Sequence, residues 1–419
     1  MCIVSGKLPV AVSAINFYQT KNQKPMKKNL FLLPSIAAFL VVAVFSACTR
    51  GSLHTSYARN QLEINDDSMR FDLRCDSTKY IIDRVIPLSV PERFLGLQCE
   101  KMEYVDGYFY LLDKEVNHSV LVFDSLGNFV ASLGRRGHAN NEYIEKPSDF
   151  FVDSKHNRVE VFERSNPRVH IFSRSGKQEN FVKLKMWPYA IGITSENNIM
   201  AAFDYEEAGG GLQLGIFNHD EELVKPFLEM DCNHEFINDE MCFVRSGDYL
   251  YHIPNFSDSV LIFKSDSLVE VKKICFKSPF LTSDIKEKAN VGDIEEYMRY
   301  KGINGIRNYY ETPRYINLSY SKSMLNVNCI IDKRTGSQYQ FLSVPFKGFF
   351  PAQAYTLSGS TSYWLITKEN VDMIMDLTIN KSSSKKEQEK EWSVTPSVVK
   401  DLLCKKYGLP AIVQIRFKD

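Results

Sequence analysis

The densest run of side chains able to bind or react is Gly134-Arg135-Arg136-Gly137-His138-Ala139-Asn140-Asn141-Glu142-Tyr143. Its two guanidinium groups supply forked donors, its amides supply donor and acceptor together, and imidazole, carboxylate and phenol complete the set. Such a mixture suits an anionic or hydroxyl-rich ligand. The candidate binding residues are Arg135, Arg136, His138, Asn141, Glu142 and Tyr143, joined by Arg164 and by Tyr205, which sits beside Glu206, Glu207 and the glycine-rich stretch 208–211. The plainer reading of the first run is a turn and strand lead-in that serves the fold alone.

Other chemistries find less support. Asp231-Cys232-Asn233-His234 with Cys242 holds ligand-type residues, but at a spacing that matches no usual zinc pattern, so no metal is expected and no cofactor is implied. There is no Gly-x-Ser-x-Gly elbow, and the glycines at 209–211 lack the Lys and helix of a phosphate loop. No catalytic residue emerges. An enzyme is the less favoured reading.

The elements that must position these loops repeat along the chain. SVLVFDSLGN (119–128) and RVHIFSRSGK (168–177) echo one another with Phe123 and Phe172 in the same place, and Phe217 and Phe263 continue the phase at steps of 45 and 46 residues after a first step of 49. A unit of 40–50 residues built from short alternating strands and Gly turns is the mark of a propeller blade. Gly127 and Gly176 take the turn positions that call for a positive φ.

Two helical interruptions follow the four visible blades: residues 280–303 before blade five, and 396–407 within blade six after the charged run 382–392. The last strand, AIVQIRF, needs a neighbour, and TKYIIDRVIPLSV (78–90) has no blade of its own. The two are expected to pair and close the ring, which would also hide both edges. The fold class is therefore all-β, a six-bladed β-propeller over 78–419 with helical insertions in blades five and six, closed by an N-terminal strand.

Residues 26–48 read as two lysines, an apolar run, small residues and Cys48: a secretory signal whose end resembles the bacterial lipobox, with Cys48 the lipidated residue. Met26 is the expected start, 1–25 an upstream extension, 26–47 the signal and 48–77 a linker. From Cys48 onward 46 basic residues face 51 acidic ones, a net charge of about −5 that argues against nucleic acid as a partner. Seven further cysteines without regular spacing read mainly as buried small hydrophobes, not as a disulfide framework.

The stretch Gly134 to Gly137 with Asn141-Glu142-Tyr143, Pro147, Phe150 to Asp153, Arg158 to Val161 and Val169 to Phe172 is similar to an NHL-type repeat. The whole chain resembles the six-bladed, NHL-like or TolB-like propeller lipoproteins of Bacteroidota. The resemblance implies a monomeric envelope lipoprotein, held by its lipid at the outer membrane and facing the periplasm. Its propeller would then serve as a binding module for a protein, peptide or glycan. The rival is a propeller hydrolase or lyase working at the central channel, like the calcium-dependent lactonases of similar shape, which would need several carboxylates converging there.

Overall fold

The computed structural model describes residues 58–66, 80–94, 96–139, 142–220, 222–230, 233–235, 242–342, 354–368 and 408–417. The signal segment, Cys48, Asn141, the charged run 382–392 and the helix expected over 396–407 lie outside the described residues. Two strands precede the repeat, β1 (Ala58–Ile64) and β2 (Tyr80–Pro87). Blade one is β3 (Lys101–Val105), β4 (Tyr108–Asp113), β5 (Ser119–Asp124) and β6 (Phe129–Leu133). Blade two is β7 (Asp149–Asp153), β8 (Arg158–Glu163), β9 (Arg168–Ser173) and β10 (Gln178–Lys183).

Blade three is β11 (Ala190–Ile193), β12 (Ile199–Ala202), β13 (Leu212–Phe217) and β14 (Leu223–Glu229), with a helical turn, α1 (Glu206–Gly209), in its middle hairpin. Blade four is β15 (Phe243–Ser246), β16 (Tyr249–His252), β17 (Ser259–Lys264) and β18 (Ser267–Phe276). The helices α2 (Ser283–Asn290) and α3 (Glu295–Arg299) then lead into blade five, which is β19 (Ile303–Glu311), β20 (Tyr315–Lys322), β21 (Leu325–Asp332) and β22 (Gln338–Leu342). Blade six is β23 (Ala354–Ser358), β24 (Thr361–Ile366) and β25 (Ala411–Phe417), completed on its outside by β2. The chain is a six-bladed β-propeller.

Ring closure follows the expected route. β2 pairs antiparallel with β25, from Tyr80 opposite Phe417 to Pro87 opposite Ala411. Ile86 of β2 is buried with Phe109 and Leu121 of blade one and with Leu365 and Ile412 of blade six, so the closing strand also seals the seam between the first and last blades. The neighbouring seam repeats the scheme, with Tyr110, Val120 and Val122 of blade one against Phe150, Val159 and Phe172 of blade two. Full burial of each such side chain stabilises by about 1.5–3 kcal/mol, which is why the repeat phase is written in these positions. Phe123, Phe172, Phe217 and Phe263 all lie on third strands, and at Phe123, Phe217 and Phe263 the ladder to the fourth strand shifts register.

Residues 48–77 were expected to be a linker, yet 58–64 form β1, which adds to the outer edge of blade four parallel to β18. The ten-residue β18 would otherwise present an open edge. Gln338 and Gln340 of blade five donate to the carbonyls of Glu63 and Asn65 at 2.8 and 3.0 Å. Asp66, fully buried, accepts from the backbone of Lys277 and Ser278 and from Lys322 Nζ at 2.7 Å.

An antiparallel meander divides its connections between two faces. Tight turns joining first to second and third to fourth strands occupy one face. The opposite, loop-bearing face carries the second-to-third connections and the crossings between blades, including the candidate run, α1, α2 and α3.

Candidate functional site

The run from Gly134 crosses from blade one to blade two and folds around two inward side chains. Tyr143 is fully buried; its hydroxyl donates to the Leu133 carbonyl at 2.8 Å and its ring meets His170 edge-on at 4.9 Å. Burial pushes the Tyr143 phenol well above its usual range, and the nearby Glu163 charge adds to this. Gly134 has φ +73°, and a Cβ there would lie 2.4 Å from the Tyr143 ring, so no other residue fits without displacing it.

Glu142 is the second inward group. Its carboxylate accepts from the Ala139 backbone N–H at 3.0 Å and from Arg135 Nε at 2.6 Å, and these two donors hold it below the ordinary carboxylate range. Backbone bonds close the turn, with Gly137 N donating to Tyr143 O and Tyr143 N to Arg135 O. Behind the loop, Glu163 Oε1 accepts from the backbone of Ile144 at 2.7 Å and of Glu145 at 3.2 Å. Its Oε2 lies 3.3 Å from His170 Nε2, and the Gln178 amide faces His170 Nδ1 at 3.3 Å. His170 is thus held between the Glu163 carboxylate and the Gln178 amide.

Arg136 and His138 turn the other way. Both are exposed, and their side chains have no partner among the described residues. The Arg135 side chain is 81% exposed although its Nε is engaged.

Arg164 and Tyr205 belong to a second cluster on the same face. An Arg164 terminal nitrogen lies 3.2 Å from Asp204 Oδ2. Burial raises the Asp204 carboxyl even so, and Tyr205, 41% exposed, has its phenol raised by partial burial and by the charges of Asp204 and Glu235. His234 accepts from Gln213 at 3.0 Å, donates from Nδ1 to Asn290 Oδ1 at 2.9 Å, and its backbone N–H reaches Asp204 O at 2.7 Å. The tip that includes the glycine-rich stretch 208–211 holds the helical turn α1, and Asn233 Oδ1 receives the Glu206 N–H.

The sequence-selected residues thus divide. Arg135 and Glu142 pair, Tyr143 is buried against Leu133 and His170 in the same crossing, Arg136 and His138 face outward, and Arg164 and Tyr205 form a separate cluster around Asp204. Sequence reasoning passed over Glu163 and Gln178, whose roles depend on distant partners, and Trp187. Trp187 is 59% exposed in the next crossing, between blades two and three.

At the channel, Glu103 on β3 and Asp149 on β7 are both drawn to Lys101, at 3.0 and 2.8 Å. Lys101 Nζ also donates to the Phe150 carbonyl at 2.7 Å. Among the described residues no group of three or more His, Cys, Asp or Glu is placed to hold a metal ion. The four described cysteines, Cys99, Cys242, Cys275 and Cys329, are free thiols, and all but Cys275 are buried.

Residues 83–397 match the family model described as "Domain of unknown function (DUF4934)". Among solved structures, the chain is similar to a Bacteroides fragilis protein described as a candidate exported protein, with 13% identity, a TM-score of 0.66, and coverage of 87% of this chain and 100% of that one. This likeness concerns the fold. A Bacteroides vulgatus member of the DUF4221 family aligns over 81% of this chain and 97% of its own at TM-score 0.44 and 11% identity. The PQQ-bound aldose sugar dehydrogenase of Streptomyces coelicolor aligns over 81% and 98% at TM-score 0.40 and 8% identity. No curated protein matches the chain.

Proposed function

The chain belongs to the DUF4934 family, and from that premise we propose that it is an exported, NHL-like propeller lipoprotein whose loop-bearing face binds a protein, peptide or glycan of the cell envelope. Export is supported by the lysine, apolar and small-residue order of 26–48 and by the B. fragilis relative described as a candidate exported protein. Cys48 is the lipid attachment point, several acyl chains there would give stable anchoring, and the outer membrane facing the periplasm is the proposed location.

One observation carries the binding reading. In this crossing Arg135, Glu142 and Tyr143 are bonded internally, and Arg136 and His138 are exposed beside them. Presenting polar side chains from a preorganised loop lowers the ordering cost of association. Catalysis at the channel is less well supported, because Glu103 and Asp149 spend their charge on Lys101 and neither is set against an unshared acid or base.

The test is a pull-down from envelope extract together with a glycan panel, comparing the full chain in detergent with an Arg136→Ala/His138→Ala variant of unchanged melting temperature. The expected result is a specific partner that the variant holds at least tenfold more weakly. Equal retention by both proteins, or no specific partner at all, would overturn the reading.

A further inference from the structure

Where the chain enters blade one, Glu100 and Asp113 set two carboxylates against one connection, and the two are held unequally. Asp113, fully buried at the end of β4, takes four donors. Val116 N at 2.9 Å and Asn117 N at 3.0 Å reach its Oδ1, while Gln98 N at 3.2 Å and Asn117 Nδ2 at 2.6 Å reach its Oδ2. Glu100, the residue before β3, has a single donor, Lys114 N at 2.9 Å on Oε2. Its Oε1 is buried with no hydrogen-bond partner among the described residues. The Glu100 backbone N–H donates to Leu112 O at 3.0 Å, which keeps the residue beside Asp113. Going beyond the binding reading and independent of it, we propose that Glu100 is a proton-operated latch on the 114–118 connection of the loop-bearing face, closed when its carboxyl is protonated and loosened when it ionises.

A buried oxygen without a donor makes ionisation costly, and a second carboxylate close by adds repulsion. Burial raises the Glu100 carboxyl from 4.5 to about 7, with the Asp113 charge adding to the rise and the Lys114 N–H and ammonium offsetting part of it. The other charged or titratable groups of these segments are engaged elsewhere or closed off. Lys101 binds Asp149 and Glu103, Glu115 pairs with Lys146 at 2.6 Å, and His118 Nδ1 lies 2.5 Å from Lys114 O. The Cys99 thiol is pushed well above its usual range by burial. Both carboxylates grip the same few residues, Glu100 at Lys114 and Asp113 at Val116 and Asn117, so their repulsion acts across that connection. Because the folded value lies above the ordinary one, the proton favours the closed connection: latching is complete below about 4.5 and is lost as pH rises through about 7.

The experiment is hydrogen exchange of the full chain in detergent between about pH 5.5 and about pH 8.5, corrected for the intrinsic pH dependence of exchange. It is read at the amides of Lys114, Val116 and Asn117 for wild type, Glu100→Gln and His118→Asn. Gln mimics the protonated carboxyl, and Asn suits the left-handed backbone at His118, φ +48°. Unchanged melting temperatures confirm both folds. Wild-type protection is expected to fall roughly five- to thirtyfold over this range and to level off above about pH 7, the upper figure following from 4.5 for the open and about 7 for the closed connection. Glu100→Gln should stay protected throughout, and His118→Asn should respond as wild type does. Unchanging protection in wild type, a response that survives in Glu100→Gln, or one that disappears in His118→Asn would each overturn the latch. Should Glu100→Gln fail to fold, the carboxyl carbon shift of Glu100 in wild type decides: a midpoint near 7 supports the latch and one near 4.5 overturns it. None of these readouts involves Arg136 or His138, so the latch and the binding reading stand or fall separately.

Discussion

Replacing Gly134 by Ala tests whether the candidate loop is clamped as described. At φ +73° the new residue pays the left-handed penalty of roughly 1–2 kcal/mol. Its Cβ would sit 2.4 Å from Tyr143 Cζ and 2.5 Å from the Tyr143 hydroxyl, so the ring must leave its seat. Displacement sacrifices the hydrogen bond to Leu133, about 1 kcal/mol, and the edge-on contact with His170, about 0.5–1.5 kcal/mol. Because the ring can relax partway, the expected loss is roughly 2–4 kcal/mol in urea-denaturation stability. Tyr143→Phe, which removes only the hydroxyl, should cost about 1 kcal/mol. Ligand capture should weaken more in Gly134→Ala than in Tyr143→Phe, since only the former displaces the Tyr143 ring packed beneath the crossing. A Gly134→Ala variant within about 0.5 kcal/mol of wild type would refute the packing, and with it the fixed presentation of Arg136 and His138.

Two further outcomes probe the frame around that loop. Ile86→Ala, at a buried position of the closing strand, should lower stability by about 3 kcal/mol, whereas Ile81→Ala, on the same strand but exposed, should change it by no more than about 0.5; similar losses at both sites in urea titrations would contradict closure through β2. Glu311, pushed up by burial but held lower by Lys272, Lys333 and Tyr309, has its carboxyl lowered from 4.5 to about 2, so its stabilisation is complete above its unfolded value and drains away as pH falls from about 4.5 towards 2. Up to about 3 kcal/mol is at stake, and Glu311→Gln should flatten the acid limb of the melting profile; superimposable profiles would dismiss the role.

The architecture was legible wherever a residue's burial follows from its own period. Phe123, Phe172, Phe217 and Phe263 mark third strands because each blade repeats the same seam, and AIVQIRF announced a missing neighbour by alternating without one. β1 was not legible: ARNQLEI has little alternation, and its place depends on β18, on Gln338 and on the Asp66–Lys322 pair, all more than 200 positions away. β19 was obscured by Asn304, Arg307 and Asn308, polar residues in the innermost strand of its blade. Asn304 is tolerated there because it donates to Tyr297 O and accepts from Met324 N.

At the site, residue types alone picked out a crossing dense in polar groups. They did not reveal which groups turn inward, because Glu163 and His170 decide that from blade two. Trp187 gave no spacing to read; its exposure in the blade two–three crossing is a property of the ring.

Hydroxyl-radical footprinting of the full chain, with and without envelope extract, asks directly which face is used. His138, Trp187 and Tyr205 report the loop-bearing face, and the exposed Leu126 and Tyr249 report the face of tight turns. Protection is expected at the first three, with Leu126 and Tyr249 unchanged. Protection at Leu126 and Tyr249 instead, or at none of the five, would contradict a ligand-binding role for the Arg136 face.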